Sequence, residues 1–266
     1  MRYLLSLILL CLIGCASRAP LYPTHLPSPV TVTEEDEQYG HEVLSELVDR
    51  YALDTNDKRI NRVRDIVDKI TAANNLDQDP WHVYVLLDDD FKNAAATRGN
   101  YVFVWTGMLK LLHDDAELAT VLSHEIGHVV AGHTMPSPAE EVQQMIGGIA
   151  GMVASGVVSA QGPGYGGLGD IAGSLVQSLF ETVLINPESQ RQELEADLVG
   201  MFLMADAGYD PAVAVELWQR LSEDPEFSST IEFLSTHPNT ENRVENLKAH
   251  LEEARLQYKS RKPGRR

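Results

Sequence analysis

In the stretch His124-Glu125-Ile126-Gly127-His128, two imidazoles stand four residues apart with a carboxylate beside the first. On a helix that spacing puts both histidines on one face, so both can reach one metal ion while Glu125 projects next to them. Zinc suits such donors, because it takes nitrogen and carboxylate ligands in a roughly tetrahedral array and, in catalytic sites, leaves one position for water. It lowers the pKa of that water to about 7, and an adjacent glutamate can take the proton as the water attacks a carbonyl. The chemistry implied is metal-assisted hydrolysis with Glu125 as base.

Two histidines and a glutamate at these spacings arise by chance in roughly one chain per hundred of this length, so the flanking sequence has to add weight. It reads as a helix: acidic Asp114, Asp115 and Glu117 open it, and Leu118, Val121 and Leu122 follow at helical spacing, with no proline before Pro136. Gly127 inside that helix costs stability relative to alanine, which a tightly packed neighbour explains. A third ligand is needed, and Gln190 to Asp197 supplies one. Glu193 and Asp197 stand one turn apart on a second helix that continues through Leu198, Met201, Phe202 and Met204. Acids on a helix are ordinarily a solvated face. Beside a paired-histidine helix, such a pair instead lets the first carboxylate bind zinc and the second accept a hydrogen bond from a ligating imidazole. Glu193 is therefore assigned as ligand and Asp197 as the partner of His124.

Four blocks carry a resemblance. They are Asn93-Ala94-Ala95-Ala96 through Gly107-Met108-Leu109, His124 to His128, Arg191 to Asp197, and Ser235-Thr236-His237-Pro238 followed by Arg243. In this order, over about residues 34 to 250, they resemble the membrane-associated zinc metallopeptidases related to HtpX, the Oma-type proteases and the prenyl-protein (CAAX) proteases, particularly the lipoprotein-like members of the bacterial envelope. Such proteins are gluzincins, which implies an α+β, predominantly helical domain with a small sheet beside the cleft. The resemblance also implies one zinc ion per chain held by His124, His128 and Glu193, with Glu125 as base. By the same resemblance His237 either donates a hydrogen bond to the oxyanion or fills zinc's fourth position in a resting state. A strand such as Tyr101-Val102-Phe103-Val104 lies along the cleft in the family. An extended, locally unfolded polypeptide added to its free edge would place one carbonyl over the metal, with weak sequence selectivity.

The elements that must position these residues begin well into the chain. Arg2, the apolar run Leu4 to Ile13, and Leu12-Ile13-Gly14-Cys15 have the form of a lipoprotein signal (residues 1–14) ending in a lipobox. The run falls short of the roughly 20 apolar residues that span a bilayer. The mature chain is thus expected to start at acylated Cys15, with Ala16 after it in the pattern of lipoproteins sent to the outer membrane. Of the two cysteines, Cys11 leaves with the signal and Cys15 carries lipid, so no disulfide is expected. Residues 15–33 hold Pro20, Pro23, Pro27 and Pro29 and read as a linker. A net charge of −18 argues against nucleic acid as a partner, since phosphate binding needs a basic face.

A single domain over residues 34–258 follows. Thr33 is a possible cap for a helix bearing Val43, Leu44 and Leu47, and Ile60 to Ile70 make a second amphipathic helix. Trp81 to Leu87 and Tyr101 to Trp105 read as strands, with a turn at Arg98-Gly99-Asn100. Residues 145–170 are apolar and glycine-rich, and are expected either to pack under the core or to form a mobile cover. Asp210-Pro211 and Thr240 start two further helices, and residues 259–266 form a basic tail. His41 reads as a surface histidine, and His113, His133 and His250 as incidental. The function expected is a zinc endopeptidase of the bacterial periplasm that cleaves misfolded or misassembled envelope proteins. The alternative is a lipid-anchored, chaperone-like binding protein with a non-catalytic zinc site.

Overall fold

The computed structural model describes residues 31–134, 187–223, 233, 237 and 241–261. The signal segment, Cys15, nearly all of the linker and the apolar 145–170 segment lie outside the described residues. Helix α1 (Glu34–Arg50) starts at a capping box, in which the Thr33 side chain accepts from the Asp36 N–H and Asp36 answers the Thr33 N–H. Strand β1 (Ala52–Leu53) and helix α2 (Asp57–Ala73) follow, the latter capped by Asn56. Then come β2 (His82–Leu87), β3 (Ala94–Thr97), β4 (Tyr101–Trp105) and the short α3 (Thr106–Leu111). Helix α4 (Asp115–Val130) carries the paired histidines, and Asp114 caps it by accepting from the Ala116 and Glu117 N–H groups. After the undescribed segment come α5 (Pro187–Asp206), α6 (Ala212–Glu223) and α7 (Glu241–Ser260). The last helix runs two residues into the segment read as a basic tail.

The sheet has the order β1-β2-β4-β3, with β2 and β4 parallel and both outer pairings antiparallel. Strand β4 alternates: Val102 and Val104 join the core shared with α2, α4, α5 and α6, while Tyr101, Phe103 and Trp105 pack with Val43 and Leu47 of α1. Both faces are covered, so all five of its residues are buried.

This overturns one expectation. Tyr101 to Val104 present no free edge, because β4 is hydrogen-bonded on both sides; the outer strand next to α4 is β3. Its sequence, Ala-Ala-Ala-Thr, has only Thr97 of the β-branched and aromatic residues that mark a strand.

Helices α4 and α5 meet at two glycines. A Cβ on Gly127 would lie 2.8 Å from the Ala196 carbonyl oxygen, and one on Gly200 would lie 2.9 Å from the His124 backbone nitrogen. The missing side chains bring the two backbones close, which sets the Glu193 carboxylate against the histidines of α4.

Candidate metal centre

Four side chains converge: His124 and His128 from α4, Glu193 from α5, and His237. One donor atom from each lies within 4.8 Å of all the others. The Nε2 atoms of His124 and His128 are 3.1 Å apart. Glu193 brings Oε2 to 3.4 Å from the first and Oε1 to 3.3 Å from the second. His237 turns its Nδ1 into the same space, 3.2 Å from His124 Nε2 and 3.1 Å from Glu193 Oε1.

The donor set fits a divalent cation. Nδ1 of His124 lies 2.9 Å from Oδ1 of Asp197, so with a metal bound its proton would stay on Nδ1 and the Nε2 lone pair would face the cluster. Lone pairs and a carboxylate that face one another repel unless a proton or a metal cation lies among them, and nitrogen with oxygen donors in this number suit zinc.

Asp197 is itself held. Arg243, 1% exposed, donates from Nε and Nη2 to its two oxygens at 2.7 and 2.8 Å. From Nη1 the same guanidinium reaches Glu193 Oε2 at 3.0 Å and the His237 carbonyl at 2.9 Å. Its Cζ lies over the Trp218 ring, 4.0 Å from the centroid. One buried cation thus pairs with two buried carboxylates and anchors the segment that bears His237.

Glu125 is oriented from the other side. Its Oε2 accepts the Ala96 N–H at 3.0 Å, while Oε1 has no hydrogen-bond partner and lies 3.4 Å from His237 Nε2. The strand register explains why that N–H is available. Trp105 N–H bonds to the Asn93 carbonyl, which makes 93 and 105 a bonded pair, and bonded pairs alternate along an antiparallel ladder. Ala94 and Ala96 are therefore turned away from β4, toward the open edge and the cluster.

Burial and charge set the protonation states of the metal-free site. Burial pushes His128 down to about 3, leaving it a neutral imidazole. Burial also acts to lower His124, but Asp197 and Glu193 outweigh it and raise the group to about 9. Burial raises Glu125 above the usual glutamate range. Glu193 is held well below that range, because His237 and Arg243 overcome the cost of burial.

His124, Glu125, His128, Glu193, Asp197 and His237 are thus brought together as the sequence reading expected, and Gly127 does meet a close neighbour. Two residues acquire roles that reading did not give them. Arg243 had been noted only within the block after His237; an arginine at a helix start carries no sign that it will be buried. His133, read as incidental, is 7% exposed and touches His128. A separate cavity, lined in part by Leu76, Trp81, Arg98, Val129 and Val130, opens about a turn past His128, and none of the four clustered residues lines it.

Paired histidines with an intervening glutamate on one helix, and a carboxylate ligand from a second, define a metallopeptidase of the gluzincin type. The sequence matches Peptidase family M48 over residues 57–251, and the chain belongs to that family. It is 30% identical to the mitochondrial metalloendopeptidase OMA1 of Schizosaccharomyces pombe over 81% of this chain and 59% of that protein. It is 32% identical to the OMA1 of Arabidopsis thaliana over 73% of this chain and 37% of that protein. It is 29% identical to the beta-barrel assembly-enhancing protease of Yersinia pestis over 68% of this chain and 38% of that protein. The chain thus spans well under two thirds of the length of these relatives. Among the described residues, no helix is long and apolar enough to cross a membrane.

Proposed function

We propose that the chain is a zinc endopeptidase of the bacterial cell envelope, anchored by lipid at Cys15, that cleaves misfolded or misassembled envelope proteins. The observation that carries the catalytic part is the posture of Glu125. One oxygen is fixed by the Ala96 N–H and the other is presented, unbonded, to the metal cluster. A purely structural zinc site has no use for a buried carboxylate oxygen held beside the ligands, which weighs against the binding-protein alternative. His124, His128 and Glu193 would hold the zinc. When bound, the ion supplies a Lewis acid for the scissile carbonyl and an acidified water. Glu125 Oε1 would take a proton from the attacking water and return it to the leaving amine. The Ala96 N–H keeps the carboxylate aimed while this happens.

The polypeptide is read as an added strand on β3 rather than on Tyr101 to Val104, since the Ala94 and Ala96 carbonyls turn to the open edge, their N–H groups being taken by Asn93 Oδ1 and Glu125 Oε2. An edge of small residues selects backbone rather than side chains, which suits locally unfolded substrates of varied sequence. The envelope assignment draws on the lipobox and on relatives named for β-barrel assembly, barrels being the protein architecture of outer membranes.

Glu125→Gln tests the chemistry. It should retain zinc and the fold yet lose about 100-fold or more of the cleavage of an unfolded model polypeptide; parent-like cleavage would reject the mechanism. Comparing envelope proteins in cells carrying parent or Glu125→Gln tests the setting. Envelope proteins should accumulate in the variant, and Cys15→Ser should move the enzyme from the membrane to the soluble fraction. Identical envelope protein levels in the two strains would remove the quality-control reading.

A further inference from the structure

The His133 side chain is only 7% exposed although the metal cluster does not need it as a donor. Its Nδ1 lies 3.0 Å from Nδ1 of His128, and its Nε2 lies 3.2 Å from Oε2 of Glu195. The proton positions along this line follow in one direction. An ionised Glu195 only accepts, so His133 carries its proton on Nε2 and a lone pair on Nδ1. That lone pair requires the proton of His128 on its own Nδ1, which leaves the lone pair of His128 Nε2 facing the cluster.

We infer that Glu195 and His133 form a hydrogen-bonded relay that fixes the tautomer and ring orientation of His128. His133 is then a positioning residue for the metal, and the inference rests on the metallopeptidase reading of the same site. Helix α5 would supply three carboxylates with separate tasks: Glu193 as ligand, Asp197 directly behind His124, and Glu195 behind His128 through an intermediary. The intermediary has a geometric reason. Two residues along a helix turn the side chain by about 200°, so Glu195 points off the face that Glu193 and Asp197 share. An imidazole spans the gap and keeps a donor at one end and an acceptor at the other.

Zinc affinity, measured on purified protein by competition with a chromogenic chelator, tests the relay without recourse to peptidase activity. His133→Leu keeps most of the bulk but neither hydrogen bond, and should weaken zinc binding about 10- to 100-fold. Glu195→Leu should weaken it in the same direction, and Glu195→Gln, which keeps an acceptor oxygen, should lose much less. Because Glu195 acts through His133, the His133→Leu/Glu195→Leu double variant should bind no more weakly than His133→Leu alone. Cobalt-substituted His133→Leu should show shifted d–d absorption, while the far-UV circular dichroism of the metal-free protein stays as in the parent. Should His133→Leu fail to fold, the affinities of Glu195→Leu and Glu195→Gln decide alone. Parent-like affinity in the leucine variants, or losses that add in the double variant, overturn the relay. A parent that takes up no zinc overturns the metal reading and the relay with it, so the two failures are distinguishable.

Discussion

At the scale of single residues, His124 and His128 are alike in sequence and different in state. Burial leaves His128 neutral, whereas Asp197 and Glu193 lift metal-free His124 to about 9. A metal needs the lone pair that this proton occupies, so zinc uptake at pH 7 must expel it. The sign follows: a raised pKa means the proton is present below about 9, so zinc affinity should rise with pH up to that value and then level off. Calorimetry in buffers of different ionisation enthalpy should report about one proton released per zinc at pH 7; none released would contradict the charge assignment. His237 divides its two readings by direction. Its Nδ1 lies among the ligand atoms, which favours a fourth ligand in a resting state, a closed set with no room for water. His237→Ala should then raise the turnover of an unfolded polypeptide, whereas loss of an oxyanion donor would lower it about 100- to 1,000-fold. His124 and His128 were legible because helical spacing puts them on one face, and Glu193 because it stands one turn before Asp197; His237 rested on the family resemblance. Arg243 and His133 were not, because each takes its role from partners on another element.

At the scale of elements, α5 is the part on which the site depends. Its contact with α4 through Gly127 and Gly200 fixes how far Glu193 stands from the histidines, and Arg243 from α7 fixes its charge. Both glycines lie in helical stretches that were readable from apolar spacing, and the close approach at Gly127 was anticipated. Strand β3 was not readable, because alanines favour helix over strand, and its identity as an edge depends on β4 taking an interior place. Arg243 allows a prediction at this scale. Arg243→Met keeps much of the contact with Trp218 but leaves Glu193 and Asp197 buried without their cation. Removing one partner from a buried ionic set costs about 3 to 5 kcal/mol, which urea unfolding of the metal-free protein should read as a lowered midpoint at pH 7. The same carboxylates are held below their usual range, so the parent keeps this stabilisation at neutral pH and loses it only in acid, as the pH falls through the depressed values. The gap between parent and variant should therefore close as the pH is lowered.

At the scale of the whole molecule, the metal centre joins segments that are distant in sequence. Positions 124, 128, 193 and 237 lie on two helices and a third segment, and an unfolded chain does not hold their donors together. An ion that binds the folded state and not the unfolded one stabilises it by mass action, by about 4.1 kcal/mol when zinc is a thousandfold above its Kd. For a domain of this size that corresponds to about 8 to 16 °C in Tm, at about 2 to 4 °C per kcal/mol. Removing zinc with a chelator should lower Tm by that order, and adding zinc should restore it. Two variants separate the site from nonspecific binding by the acidic surface, which a net charge of −18 makes a real competitor. Glu125→Gln keeps all four donors and should show the full zinc-dependent shift despite its loss of activity. Glu193→Gln weakens the only anionic ligand and should show a much smaller one. Equal shifts in the two variants would place the stabilising ion elsewhere on the protein and separate the fold's metal dependence from its chemistry.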